Sequence, residues 1–401
     1  FFVQDDPLKT WIPYRDEYLD ELISLEGMGR SRCLGCLDCQ QAAFFQCWDC
    51  FGGDLVCGEC LVRRHQQSPL HRVEEWEDGF FHWRTLKGLG LQIQLGHPPG
   101  QQCPYAKAAH KDFVILDING IHQVNINFCG CGVIMTPKHL QLLRSGWWPA
   151  TPLEPQTCTT LCALRQFQTL NLQGKLSAYD FYRTLELQTD AIGLLMSVKD
   201  CLPSFMLMVQ EFQHVLMGKR AGCGHDPDGL ANTPAGGLAV KCRACPIPGV
   251  NLPAGWENAA ADARYVWLYR LFIHKDCNFR MSNRLRSSEE RDPTLSNGQA
   301  YFVDNKPYFL HVLNHATEED VKGCAGFAAL LDANTKQTKG LRSTGVCGVS
   351  CQHNQWRESG FADLQKGEQY TWVIYFLLHL LIHILQLLQC RLRFLLQPSR
   401  C

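Results

Sequence analysis

The sequence predicts an α+β protein assembled around metal knuckles, and three observations carry that expectation. Cysteine pairs at CxxC spacing recur between positions 36 and 60 and are followed by His65 and His71. Alternating apolar runs meet at Asn119-Gly120, the strongest short hairpin signal, because both residues tolerate positive φ. Between 137 and 218, apolar residues recur at three- and four-residue steps, the helical period. The 401 residues carry 38 Lys and Arg against 39 Asp and Glu, so no overall field draws nucleic acid; any DNA contact needs a local basic surface. With 46% hydrophobic and 19% charged residues, packed domains are expected rather than disorder, in about two or three units. The chain opens on Phe1 rather than methionine, which predicts a fragment or a processed product.

Residues 1–30 are expected to form an N-terminal helix. Within 5–27, Trp11, Tyr14, Tyr18, Leu19, Leu22 and Ile23 share one stripe and Gly27 stops it, so this helix should pack on the zinc module beside it. That module is expected over residues 31–75. Cys36/Cys39, Cys47/Cys50 and Cys57/Cys60 are knuckles in which two intervening residues let both sulfurs reach one ion. With His65 and His71 they supply eight ligands, enough for two tetrahedral zinc ions. The expected wiring is crossed, the first pair with the third and the second with the histidines. This spacing resembles the B-box class of cross-braced zinc modules. Cys33 stands one knuckle before Cys36 and is an alternative member of the first pair. A disulfide framework is the competing reading of 22 cysteines. Histidines after three CxxC pairs have no place in it, and disulfide scaffolds are usually short chains. No secretory leader opens the sequence, so a reducing, intracellular compartment is expected.

Residues 76–135 are expected to be a β-hairpin cysteine-cluster region. The hairpin at Asn119-Gly120 should return Cys129 and Cys131 beside Cys103, and these thiols with His97 or His122 are candidates for a third metal site. Buried thiols in a small core are the alternative. Residues 136–220 read as helical, broken by Pro149, Pro152 and Pro155, with His214 as a satisfied core histidine. Residues 221–256 form a Gly/Pro-rich connector in which Cys242 and Cys245, with Cys223 or His225, are candidates for another zinc site. From 257 to 370 a new domain is expected. YVWLYRLFI (265–273) reads as a buried strand ending at His274-Lys275-Asp276, NFRMSNRL as a short strand, and YFVDNKPYFL as a strand pair. EEDVKGCAGFAALLDANTKQ reads as a helix, and TGVCGVSCQH as a buried strand ending at His353.

Taken in order, several segments resemble the Kyakuja–Dileera–Zisupton (KDZ) transposases. CLDC, CWDC, CGEC, PLHRVEEW, LGLQIQLGHPPGQQC, GIHQVNINFCGC and LLRSGWWPAT resemble the cysteine-cluster domain preceding the catalytic region, over residues 5–131 and just beyond. NLQGKLSAYDFYRTLELQTD and GGLAVKCRACPIPGVNLPAGW resemble the region after it, and DCNFRMSNR, GQAYFVD, KGLRSTGVCGVSCQH and DLQKGEQY the start of the core. The resemblance implies an α/β ribonuclease-H-like core in which three acidic residues hold Mg²⁺ for strand cutting and joining, with transposon-end DNA as partner and the nucleus as location. Two Mg²⁺ ions would activate water and stabilise the leaving oxygen of an in-line transfer. Asp276 matches the first acid. Lys275, Arg280, Arg284, Arg286 and Arg291 give a local basic cluster, diluted by Glu289, Glu290 and Asp292.

Residues 371–401 are expected to depart from the family. No acid occurs after Glu368, so the core is expected to be incomplete, with Mg²⁺ held only in an intact relative. Trp372–Leu388 is an uncharged run of 17 residues, short of the about 20 that span a bilayer, and a membrane anchor is not expected. The expectation is an aberrant tail such as translated intron. The overall expectation is a transposase-derived, zinc-binding DNA-binding protein without complete catalytic machinery. A zinc module that holds protein partners or self-associates is the alternative.

Overall fold

The computed structural model describes residues 6–28, 35–132, 136–191, 199–258, 269–278, 280–281, 283–284, 293–308, 310, 341–343 and 345–364. Two compact units, residues 1–212 and 213–401, are taken in turn.

The first unit opens with helices α1 (Pro7–Trp11) and α2 (Arg15–Leu25), joined by a 3-10 turn. Proline at the second helical turn and acidic Asp16 and Glu17 at the start of α2 suit helix initiation. The expected docking of this helix is not found: none of its residues is buried, and Tyr18, Leu22 and Ile23 remain more than half exposed.

Next comes a small sheet in the order β1 (Phe45–Cys47), β2 (Val73–Glu77), β3 (Phe80–Arg84), with helix α3 (Gly58–Arg64) between its first two strands. Its core holds Ala43, Leu55, Val56, Leu61 and Val73 among the knuckle cysteines. So few apolar residues make a core too small for a stable domain, which is the usual setting for a structural metal.

A larger sheet lies beyond it. Its strands are β4 (Gln92–Gln94), β5 (Lys107–Ala108), β6 (Phe113–Asp117), β7 (Gly120–Phe128), β8 (Trp147–Pro149) and β9 (Thr157–Thr160), with helix α4 (Lys138–Arg144) ahead of β8. The order is β4-β7-β6-β9-β8, with β5 also on β7. The hairpin is present, but Asp117 pairs with Gly120, so Ile118 and Asn119 form the loop and Gly120 takes the positive φ, 143°. Strands β8 and β9 interrupt the mainly helical 136–220 region. Pro149 sits within β8 and faces Cys158, and the β-branched run Thr157–Thr160 is buried throughout.

Helices α5 (Leu161–Gly174), α6 (Ala178–Thr189) and α7 (Leu202–Ala221) complete this part. Thr160 and Ser177 cap the first two by accepting from the Ala163 and Asp180 amides. Phe167, Phe181 and Phe205 meet ring to ring at 5.4–5.6 Å, one from each helix. His214 departs from expectation, since its Nδ1 is buried with no hydrogen-bond partner.

In the second unit, strands β10 (Ile273–Asn278), β11 (Asn283–Arg284), β12 (Leu341–Ser343), β13 (Gly345–Cys351) and β14 (Trp356–Leu364) form two sheets. One is antiparallel with β13 between β10 and β14; the other is the ribbon β11–β12. The first strand begins at Ile273, later than expected, and runs on to Asn278, two residues beyond Asp276. The expected strand pair at 301–310 is instead one parallel bridge, Phe302 to Phe361, and a helical turn at 305–308. Strand β14 carries polar residues among its apolar ones and had no strand reading. The helix expected over 318–337, the basic residues Arg286 and Arg291, and the tail 371–401 lie outside the described residues. Among the described residues no helix is long and apolar enough to cross a membrane. The fold is thus mixed α and β with several sheets.

Candidate metal centres

Four groups of cysteine and histidine bring four ligand atoms each within 4.8 Å of one another. A tetrahedral zinc with ordinary bond lengths separates two sulfurs by about 3.8 Å and a sulfur from a nitrogen by about 3.6 Å. That is the yardstick for each group.

The first group is Cys36, Cys39, Cys57 and Cys60. Cys36 and Cys39 flank a tight turn, while Cys57 and Cys60 straddle the start of α3, where the Cys60 amide donates to the Cys57 sulfur. The sulfurs of Cys39 and Cys57 are 3.5 Å apart. Backbone amides, first that of Cys57, hold the Cys36 thiol down to about 6, while burial and the neighbouring thiols push Cys60 up to about 12, so the group favours one thiolate in the absence of a metal. The Arg63 guanidinium donates to the Cys60 sulfur at 3.3 Å.

The second group is Cys47, Cys50, His65 and His71. Cys50 Sγ lies 3.4 Å from His65 Nε2 and 3.4 Å from His71 Nδ1, and Cys47 Sγ lies 3.5 Å from His71 Nδ1. His65 Nδ1 donates to the Leu61 carbonyl at 2.8 Å, which fixes the tautomer that leaves Nε2 free to coordinate. Burial lowers the His65 pKa, keeping the ring neutral as a ligand must be. Cys33 lies outside the described residues, and Cys39, which it was expected to be able to replace beside Cys36, stands in the first group.

The third group is His97, Cys103, Cys129 and Cys131. Strand β7 ends at Phe128 and delivers the CxC directly, while the turn after β4 delivers His97. Cys103 Sγ is 3.3 Å from Cys131 and 3.7 Å from Cys129; His97 Nε2 is 3.3 Å from Cys129 and 3.7 Å from Cys131. A Cβ on Gly130 would meet the Tyr105 carbonyl at 2.4 Å, so only glycine fits between the two cysteines. Gln141 accepts from the Cys129 amide and donates to its carbonyl, clamping the knuckle. An open cavity of ≈ 340 Å³ borders the group, with Arg144 on its rim. His122, the other candidate, is elsewhere. Its Nε2 is 2.8 Å from Asn119 Oδ1, and burial lowers its pKa to about 4.

The fourth group is Cys242, Cys245, Cys351 and His353. The sequence paired the CxxC with Cys223 or His225, but neither is in the group. The Cys223 sulfur lies 3.5 Å from the Thr233 hydroxyl instead. Cys351 and His353 were missed as ligands because they are more than a hundred residues away, and a lone CxH has no diagnostic spacing. Asp276 falls in no metal-ligand group among the described residues. It is exposed on β10, and its Oδ1 accepts from the Cys277 amide.

The first three groups lie in one unit, where Asp49 ties the cross-braced segment to the β6–β7 loop. Its carboxylate accepts from the Arg72 amide and guanidinium in the cross-braced segment and from Asn119 Nδ2 on the β6–β7 loop at 3.1 Å. Burial pushes this carboxyl up, but the Arg72 contacts outweigh it and hold the pKa below the ordinary value.

A mixed α and β chain whose thiols and imidazoles converge in fours belongs to the class of cysteine-cluster, metal-knuckle proteins. Residues 86–193 match the family described as CxC2 like cysteine cluster associated with KDZ transposases, and residues 269–392 match the Kyakuja-Dileera-Zisupton transposase family. Two successive spans of the chain are therefore similar to KDZ families, first to their associated cysteine cluster and then to the transposase. No curated protein and no solved structure matches it. The matched cysteine cluster spans 86–193, and the first two groups lie ahead of it. The transposase match runs to 392, so residues 371–392 fall inside the family span rather than departing from it.

Proposed function

We propose that this chain is a zinc-stabilised, transposase-derived DNA-binding protein. The observation that carries the reading is the succession of two KDZ-associated spans in a chain whose ligand residues gather in closed four-membered groups. Thiolate-rich tetrahedral sets with no position left for substrate suit structural zinc rather than a catalytic metal. The zinc ions supply folding free energy here, and the eight ligands from Cys36 to His71 with His97, Cys103, Cys129 and Cys131 hold three of them.

DNA contact is proposed for the 86–193 span. There eight Lys and Arg residues face six Asp and Glu, and Arg144 is exposed beside the third group. Asp276 is the one acid matched through the resemblance, and strand cutting is not part of the proposal. A DNA partner places the work of the protein in the nucleus. Salt titration of duplex binding tests this. Affinity should fall log-linearly with salt, Arg144→Ala should reduce the slope by about one, and chelation should abolish binding. Affinity unmoved by both salt and chelator would contradict it.

A second reading applies to residues 35–85. This segment holds eight carboxylates against four arginines, and each arginine meets a carboxylate: Arg63 and Arg64 at Asp38, Arg72 at Asp49, Arg84 at Glu75 and Glu77. Such a surface repels phosphate. Trp48 and Trp83 are about half exposed and in ring contact, with Phe51 fully exposed on the same segment, which suits a protein partner.

A further inference from the structure

The second unit holds its own cluster of ligand side chains, outside both the cross-braced segment and the matched cysteine cluster. We propose that Cys242, Cys245, Cys351 and His353 form a structural zinc site that clasps the 236–251 connector onto the β10–β13–β14 sheet.

Geometry carries the proposal. His353 Nδ1 lies 3.7 Å from Cys242 Sγ, 3.6 Å from Cys245 Sγ and 3.8 Å from Cys351 Sγ. One ring nitrogen has a single proton or a single lone pair, so it cannot hydrogen-bond three sulfurs at once. Three near-equal separations at the tetrahedral edge of about 3.6 Å instead describe four donors around one centre. Three thiols and an imidazole are a closed structural zinc set, and binding would release the thiol protons.

The backbone on both sides is built for this. Cys351 ends β13, and the turn to β14 brings His353 back through the Cys351 amide donating to Gln355 at 2.9 Å and the Asn354 amide to Cys351 at 3.0 Å. On the connector, Asn251 Nδ2 donates to the Cys245 carbonyl at 2.8 Å and its Oδ1 accepts from the Ile247 amide at 2.7 Å, which locks the knuckle loop. The approach is also fixed: the Gly236 and Leu238 amides donate to Gly298 and Gln299, and the Val240 amide to the Tyr301 hydroxyl. Leu271 packs under the three sulfurs.

The clasp would close a loop of more than a hundred residues, the kind of long-range constraint that gains most from a cross-link. It would also bear on Asp276. Cys351 pairs with Ile273, and Asp276 with Gly348 three steps along the same ladder, about 10 Å away. The site thus anchors the strand pair that carries the acid matching the transposase family.

Zinc per full-length chain, measured by elemental analysis, tests the proposal through a difference between variants. His353 is exposed, so His353→Ala removes a ligand without opening the core. This variant should hold one zinc fewer than wild type and exchange amide hydrogens faster over 236–251, while His353→Cys should restore both. Equal zinc content in His353→Ala and wild type would overturn it. Should His353→Ala fail to fold, wild type decides: amide exchange over 236–251 should quicken when zinc is stripped by a chelator, and unchanged exchange there overturns the clasp. The three ions proposed for the first unit set the wild-type total and not this difference, so failure there reads out separately.

Discussion

Cys47 shows what one residue does in this chain. It ends β1, so its backbone is held by the Phe45–Cys47 ladder with β2, while its sulfur faces His71. Replacing it with serine should remove one zinc and unfold residues 35–75, because a structural ion contributes about 10 kcal/mol and the local apolar core is small. Unchanged zinc in a folded Cys47→Ser chain would refute the second ligand set. His122 makes a different prediction. Its folded pKa is lowered to about 4 by burial, from an ordinary 6.5. A histidine kept neutral on folding contributes stability that is complete above about 6.5 and is lost as pH falls toward about 4. Denaturant midpoints across that window should fall more steeply for wild type than for His122→Gln. Parallel curves would show that burial of His122 does not perturb it. Asn119 explains why this histidine was a plausible ligand from sequence and is not one, since its Oδ1 already partners the ring.

At the scale of elements, the hairpin and the helices beyond 160 were legible because period and punctuation agree. The apolar run FVIL, the alternation in VNINF, and the Thr160 and Ser177 caps each obey a local rule. Legibility failed where tertiary context decides. The hairpin loop sits one residue earlier than Asn119-Gly120 because Asn119 spends its side chain on Asp49 and the Leu70 carbonyl. Strand β9 is a buried TCTT in which the Thr160 hydroxyl finds a partner only once Asp117 is alongside, while the Thr159 hydroxyl is buried without one. The aromatic stripe of α2 has the pattern of a buried face and remains exposed. The CxC turn makes the sharpest test of an element. Gly130→Ala would drive a methyl into the Tyr105 carbonyl, at a cost of about 1–3 kcal/mol, and should release one zinc from the third group. An alanine variant with wild-type zinc and thermal midpoint would show that this close approach is not required.

Across the whole molecule, the ligand sets divide by how far apart in sequence their members stand. The first two are written within 36–71 at diagnostic spacing. The third needs a hairpin to bring Cys129 and Cys131 back to Cys103. The fourth needs a whole strand pairing to bring Cys351 to Cys245, and only half of it was legible. Charge separates the same segments. Four thiolates around one Zn²⁺ would carry about −2, which would add to an already acidic 35–85 segment; the proposed DNA contact falls instead on the more basic 86–193 span. The central claim is that zinc holds these segments in their folds. Elemental analysis of purified, reduced full-length chain, paired with circular dichroism before and after chelation, tests it most directly. The account predicts at least three zinc ions per chain and loss of folded signal when they are stripped. A metal-free chain with full native signal would contradict it.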